Sequence, residues 1–469
     1  MLLHVAASGR SSANLKDFSS IVREMRVART LIFCLTVGLL HVAGAAQTPA
    51  AGAASTLTLD DAIRLAQANE PTFAAAVAES QATALERKDA KAGLLPSVVY
   101  HNQYLFTQSN HTYAATVEGG HSQSLPVFIA NNAVHEYYSQ ASVSETLGLA
   151  GTAAIRLANA NAARAQAEFE IARRGLVATV VALYYNVRSG GEKAAVAQRA
   201  VDEANRFLDV TQKREAAGEA AHADVIKAHL EQEQRQRELA DAVLMKEKAA
   251  LELGVLLYAD PATQFSTADE AVPPALPNRK DVEVAAKTGN PEVRSALAAL
   301  QASQAQTQAA WAGLLPDLAL NYTYGIDAPQ FAANGPDGAR NLGYSASATV
   351  DIPVWDWLTS ERKVKEAHIR AAATKVALTA TQRRLLADLT EFYDEADTAS
   401  RQLASLDLSV ADAREALRLT NLRYVNGEGT VLEVVDAQNT LVTAENAHAD
   451  GLVRYHVALA QLETLTGSL

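Results

Sequence analysis

Glu433 and Asp436 each break the apolar run VLEVVDA, directly after a turn marked by Gly427. Three positions apart on a helix, their carboxylates share one side. A lone acidic pair is ordinarily a solvated helix face. Where copies converge on an axis, like charges raise one another's pKa and attract cations. Four histidines, His101, His111, His121 and His135, gather in one stretch at spacings of ten or more. Such spacing across a loop does not supply matched metal ligands with supporting partners, and exposed loop histidines are the plainer reading. The chain has no HExxH, no glycine-rich phosphate loop and no nucleophile paired with a base. No enzyme, metal site or cofactor is expected.

The elements that position these residues begin with composition. With 469 residues, 49% hydrophobic and 20% charged, the chain can bury a large core and shows no bias to disorder. Aromatics make up only 6%, and alanine is dense before both Leu-Leu-Pro segments, which favours long, closely packed helices. Residues 1–45 read as an export signal: Arg23, Arg26 and Arg29 precede an apolar run, and Ala43-Gly44-Ala45 offers small residues for cleavage. That run is shorter than the roughly 20 apolar residues of a crossing helix. Met25 is an alternative start. Cys34, the one cysteine, lies inside the run, so the mature chain carries no thiol, as suits an oxidising compartment. Removing the leader's net +3 takes the net charge from -12 to -15, which argues against nucleic acid as a partner.

The phrase AGLLP occurs at Ala92 and again at Ala312, and Pro71, Ala66 and Gln81 fall on Pro291, Ala286 and Gln301. Farther on, Tyr184, Gly218-Glu219 and Val225 fall on Tyr393, Gly427-Glu428 and Val434. The pattern predicts a tandem duplication with repeats over 46–260 and 279–469 and a Pro/Thr-rich linker over 261–278. In each repeat a helix of about 35 residues is expected to stop at Leu-Leu-Pro, because proline cannot extend the ladder. Alternation then predicts a strand pair: Leu318 to Ile326 with Leu342 to Ile352, and a rougher one in which Val98, Tyr100, Tyr104 and Phe106 face Tyr137, Ala141, Val143 and Leu147. The first pair carries a long loop over 109–134. Pro96, Pro316 and Pro353 mark changes between helix and strand. Long helices near 148–216 and 359–424, each reaching on the order of 100 Å, are followed by glycine turns and returning helices. Gly190-Gly191 reads as a kink or a tolerated flaw.

The strands pair an apolar face with a small polar one, at a length that can cross a bilayer when tilted. A soluble sheet of this kind would need a cover that such long helices cannot supply. Four strands do not close a barrel, since transmembrane barrels begin at about 8, so copies of the chain must share one.

At this point the sequence resembles the TolC-type outer-membrane efflux proteins. The likeness covers the mature chain: LTLDDAIRLAQANEP, the doubled helix-LLP-strand phrase, VDIPVWDW, and YVNGEGTVLEVVDAQNTL before a helix ending LETLTG. It implies a mostly helical homotrimer in which each protomer gives four strands to a 12-stranded transmembrane barrel, continued by an antiparallel coiled-coil tube across the periplasm. The partners it implies are outer-membrane lipid, a periplasmic adaptor and an inner-membrane pump, the protein itself being a passive duct. It places Glu433 and Asp436 at the periplasmic constriction and Tyr424 and Asp224 at the entrance latch. A packed aromatic and a solvated acid are the plainer readings of that second pair. Gly218 and Gly427 lie at the helix-turn-helix tips, where an adaptor docks and where glycine permits a positive φ. The latch arginine of well-known members is replaced by Gly429, which leaves closure to Tyr424 and helix packing. The rival expectation is a soluble periplasmic coiled-coil scaffold, which would leave with the soluble fraction on cell fractionation.

Overall fold

The computed structural model describes residues 55–106, 135–268, 273–335, 338 and 340–467. These lie in Ser55–Leu469, the second of the chain's two compact units. The leader, its cleavage position, Cys34, His111, His121 and the 109–134 loop fall outside the described residues.

The expected helix before each Leu-Leu-Pro is two helices. α1 (Leu59–Asn69) starts at Thr58, whose side chain accepts from the Asp61 amide, and α2 (Pro71–Ala92) follows after one extended residue, Glu70. Pro71 has no N–H to continue α1, yet its fixed φ suits the first position of α2, where the Glu70 carboxylate accepts from the Phe73 amide. Pro291 does the same in the second half, where Asn290 separates α5 (Arg279–Gly289) from α6 (Pro291–Ala312).

After Pro96 and Pro316 the chain becomes extended. β2 (Ser97–Phe106), β3 (His135–Leu147), β5 (Asp317–Ala328) and β6 (Leu342–Asp351) form one four-stranded antiparallel sheet in the order β2-β3-β5-β6. Its register aligns Tyr100 with Ala141, Ala141 with Tyr324, and Tyr324 with Tyr344, so one face carries aromatic and aliphatic side chains. The opposite face aligns Ser142 with Thr323 and Thr323 with Ser345, and the last two hydroxyls are 2.7 Å apart. Pro353 lies on the strand-to-helix side of β6. Within the described chain, β2 and β6 each have a neighbour on one side only.

α3 (Leu149–Ala216) has 68 residues and α7 (Thr359–Val425) has 67, while the returning helices α4 (His222–Leu257) and α8 (Val431–Thr466) have 36 each. α3 is continuous through Gly190-Gly191. A Cβ on Gly190 would lie 3.1 Å from Lys246 Cα, so the glycine lets α4 approach closely. α3 packs against α2, α4, α6 and α8, and α7 against α6 and α8. Buried Ala298, Ala302 and Ala305 keep the α6 contacts short.

The region between the halves is more than a linker. β4 (Phe265–Thr267) pairs in parallel with β1 (Ser55–Leu57). The Tyr184 hydroxyl donates to the Leu57 carbonyl at 3.0 Å and accepts from the Ala268 amide at 3.2 Å, tying the ribbon to α3. Tyr184 belongs to the largest core cluster, with Leu176, Val180, Leu253 and Leu257. Among the described residues no helix is long and apolar enough to cross a membrane.

Candidate functional site

The two helical turns share one backbone design. At the α3–α4 turn the Gly218 amide donates to the Glu215 carbonyl at 2.8 Å and the Glu219 amide to the Arg214 carbonyl at 2.8 Å. At the α7–α8 turn the Gly427 amide donates to the Tyr424 carbonyl at 3.0 Å and the Glu428 amide to the Arg423 carbonyl at 2.9 Å. Both glycines are left-handed, with φ 77° and 80°, which satisfies the last carbonyls of each long helix. α8 is then capped by Thr430, whose hydroxyl accepts from the Glu433 amide at 3.3 Å, whereas Ala221 gives α4 no side-chain cap.

The side chains diverge. Tyr424 is 4% exposed and packs with Phe207, Leu208, Ala228, Val431 and Val434. Its ring centroid lies 5.1 Å from that of Phe207, and its hydroxyl lies 3.1 Å from Thr211 Oγ1. Arg214, on α3, reaches across to the second turn: its guanidinium sits 4.8 Å from the Tyr424 ring centroid and donates to the Tyr424 carbonyl. An arginine therefore does meet Tyr424, from the opposite hairpin and not from position 429. A Cβ on Gly429 would lie 3.1 Å from the Tyr424 amide nitrogen, so the turn is tight there. Thr211 and Arg214 are functional candidates that sequence reasoning missed. Arg214 holds the place before Gly218 that Arg423 holds before Gly427, and that correspondence was the available signal.

Glu433 and Asp436 are both exposed on α8, while Val431 and Val434 between and beside them are buried. Glu433 Oε2 lies 3.7 Å from Arg423, whose guanidinium also donates to the Glu428 carbonyl at 3.2 Å. Asp224 is partly buried in the first turn of α4. The structure brings Glu433 and Asp436 to one side of α8, whereas the partner of the Tyr424 hydroxyl is Thr211 rather than Asp224.

Above the turns, the hairpins are cross-linked by charge. Glu445 on α8 accepts from Arg199 on α3 at 2.9 Å and from Arg414 on α7 at 2.7 Å. Burial alone would push its carboxyl up, but the two arginine hydrogen bonds outweigh that and hold it below the usual glutamate range. Arg235 on α4, 3% exposed, bonds Glu231 and Glu238 and reaches Asn439 on α8. His135 and His101 do not converge: the first bonds the Tyr104 hydroxyl at 2.7 Å, and the second lies edge-on to Tyr138. No group of side chains suited to a metal ion occurs among the described residues.

A family model described as Outer membrane efflux protein matches residues 62–257 and 284–468. Outer membrane protein OprJ of Pseudomonas aeruginosa is 26% identical over 314 residues, which span 65% of this chain and 63% of OprJ, just under two thirds of that relative. Cobalt-zinc-cadmium resistance protein CzcC of Cupriavidus metallidurans is 24% identical over 422 residues, 88% of this chain and 91% of CzcC. Among solved structures, the Campylobacter jejuni CmeC outer membrane channel superimposes with a TM-score of 0.71 at 16% identity, covering 87% of this chain and 85% of that one.

Proposed function

The chain belongs to the outer membrane efflux protein family, and we propose that it is the exit duct of a tripartite efflux or secretion system, conducting cargo passively and catalysing nothing. The observation that carries this reading is the sheet: four strands with one face mostly of aromatic and aliphatic side chains, interrupted by Asn102, Ser139 and Glu145, and, among the described residues, an unpaired edge on both β2 and β6. In lipid, open edges leave backbone groups unsatisfied, so neighbouring copies must complete the wall. Three copies of a four-stranded sheet supply twelve strands, more than the minimum of about 8. The long helices then continue the barrel as a coiled-coil tube through the periplasm toward an adaptor and an inner-membrane pump.

In this assembly Glu433 and Asp436 form a ring of carboxylates at the periplasmic constriction. Tyr424, with Asp224 on the facing turn, latches the entrance, and the turns at Gly218 and Gly427 meet the adaptor. The matched order of elements supports a tandem duplication over 46–260 and 279–469, joined by 261–278, behind a signal peptide over 1–45. Purification from outer membranes and reconstitution in planar bilayers tests the reading: a detergent-extracted trimer with single-channel conductance is expected. A water-soluble monomer without conductance would contradict it and favour the scaffold.

A further inference from the structure

The seam between the two hairpins encloses a cavity of about 330 Å³, bounded by α3, α4, α7 and α8. Val196 and Ala200 on α3, Leu417 on α7, and Leu441 and Val442 on α8 give it an apolar wall. Charged side chains complete the lining, and each is engaged within the protein. Arg199 and Arg414 both donate to Glu445. Arg235 donates to Glu231 and Glu238. Arg206 lies 3.7 Å from Glu203, which also accepts from Asn421 at 3.0 Å. Four arginines thus stand against four glutamates, so the surroundings favour no charged guest.

One lining residue is not engaged. Gln438 on α8 is 5% exposed, and neither its Nε2 nor its Oε1 has a hydrogen-bond partner. Among the described residues it is the one side chain whose donor and acceptor are both left so. Burying a carboxamide without partners is costly, and an apolar residue between Val434 and Val442 would avoid that cost. The duplication does not account for it either. At the offset that sets Gly218 on Gly427, Gln438 falls on His229, which is exposed. Water is a poor substitute partner here. The cavity has room for several molecules at about 30 Å³ each, but they would meet an apolar wall and charges already paired. What the carboxamide lacks is a C=O and an N–H presented side by side. A guest that supplies both on an otherwise apolar body satisfies the amide and covers the wall.

We infer that this cavity is a binding site for a small, neutral, largely apolar molecule bearing a lactam or other cis-amide edge, which pairs with the Gln438 carboxamide through two hydrogen bonds. Arg199, Arg206 and Arg414 are exposed, so the cavity opens to solvent and a guest has a way in. The site is built within one protomer and stands apart from the duct reading.

Caprolactam is the probe, and N-methylcaprolactam is the control that keeps ring and carbonyl but loses the N–H. Both are titrated by saturation-transfer NMR into the full chain in detergent micelles, with empty micelles as the blank. The protein should bind caprolactam about tenfold more tightly than the control, and caprolactam should slow amide exchange over residues 196–203 and 438–445. Gln438→Leu should remove the preference for the N–H. With the orphaned amide gone, it should also raise the thermal midpoint of the ligand-free protein. Ala200→Phe, which fills the cavity, should abolish binding of both molecules with circular dichroism unchanged; Gln438→Leu carries the test should that variant fail to fold. Equal affinity for the two molecules, binding of neither, or a preference that survives Gln438→Leu would overturn the site. A Gln438→Leu protein less stable than the parent would overturn it too, by showing that the amide is already partnered by water.

Discussion

The α3–α4 and α7–α8 turns have the same hydrogen bonds and the same left-handed glycine, yet opposite chemistry on that frame. In the first, Glu215 and His222 meet at 2.7 Å as an exposed polar pair. At the corresponding places in the second stand Tyr424 and Val431, both buried. The first turn also lends Arg214 to the second, while Arg423 stays on its own turn. A shared backbone is thus set by one glycine, and the side chains decide which turn is fastened and which is free. On the proposed duct reading, the α7–α8 turn is the one whose release is expected to open the entrance.

That asymmetry can be broken most severely at Tyr424. Tyr424→Ala removes a buried aromatic and should cost about 3–5 kcal/mol of local stability, seen as faster amide exchange around both turns and as higher single-channel conductance. Glu215→Ala at the matched place should cost less than about 1 kcal/mol and leave conductance unchanged. Equal effects would show that the turns are not differently fastened.

Gly218→Ala and Gly427→Ala probe what the turns share. Each forces a Cβ into the left-handed region at about 1–2 kcal/mol, and the two should shift thermal unfolding alike. Capping sharpens the contrast by a smaller step. Thr430→Ala should destabilise α8 by about 1 kcal/mol, and Ala221→Thr should stabilise α4 by a comparable amount; both are measurable by amide exchange in the first turn of each helix.

Much of this was legible in the sequence. Prolines set the strand starts, alternation set the sheet faces, and Gly218 and Gly427 marked both turns. Pro71 and Pro291 were visible as matched positions, but their role as first residues of new helices depends on the capping side chains of Glu70 and Asn290. The β1–β4 ribbon escaped notice because three-residue strands carry no periodicity, and the tyrosine that anchors them is remote in sequence. The clasp on Tyr424 escaped for a related reason. Thr211 and Arg214 reach it through tertiary packing between two halves of the chain, and the match of Arg214 to Arg423 marks a place in the turn without naming the partner it meets.

The smallest expected effect is on pH. Because the folded-state pKa of Glu445 is depressed, its contribution is present above the unfolded pKa of a glutamate and is lost as pH falls through the folded value. Acidification should therefore loosen α8 from α3 and α7, and Glu445→Gln should remove that pH dependence while lowering stability at neutral pH.

Closure of the sheet by neighbouring copies is tested most directly by edge-to-edge cross-linking. With Cys34 replaced by Ser, chains that carry one cysteine on β2 and a second on β6 are scanned along the two strands, and the oxidised products are resolved on denaturing gels. A ladder ending at three chains is expected, with cross-links alternating along the strands as the register brings side chains together. Monomer at every pair, or a ladder that continues without end, would contradict a barrel shared by three chains.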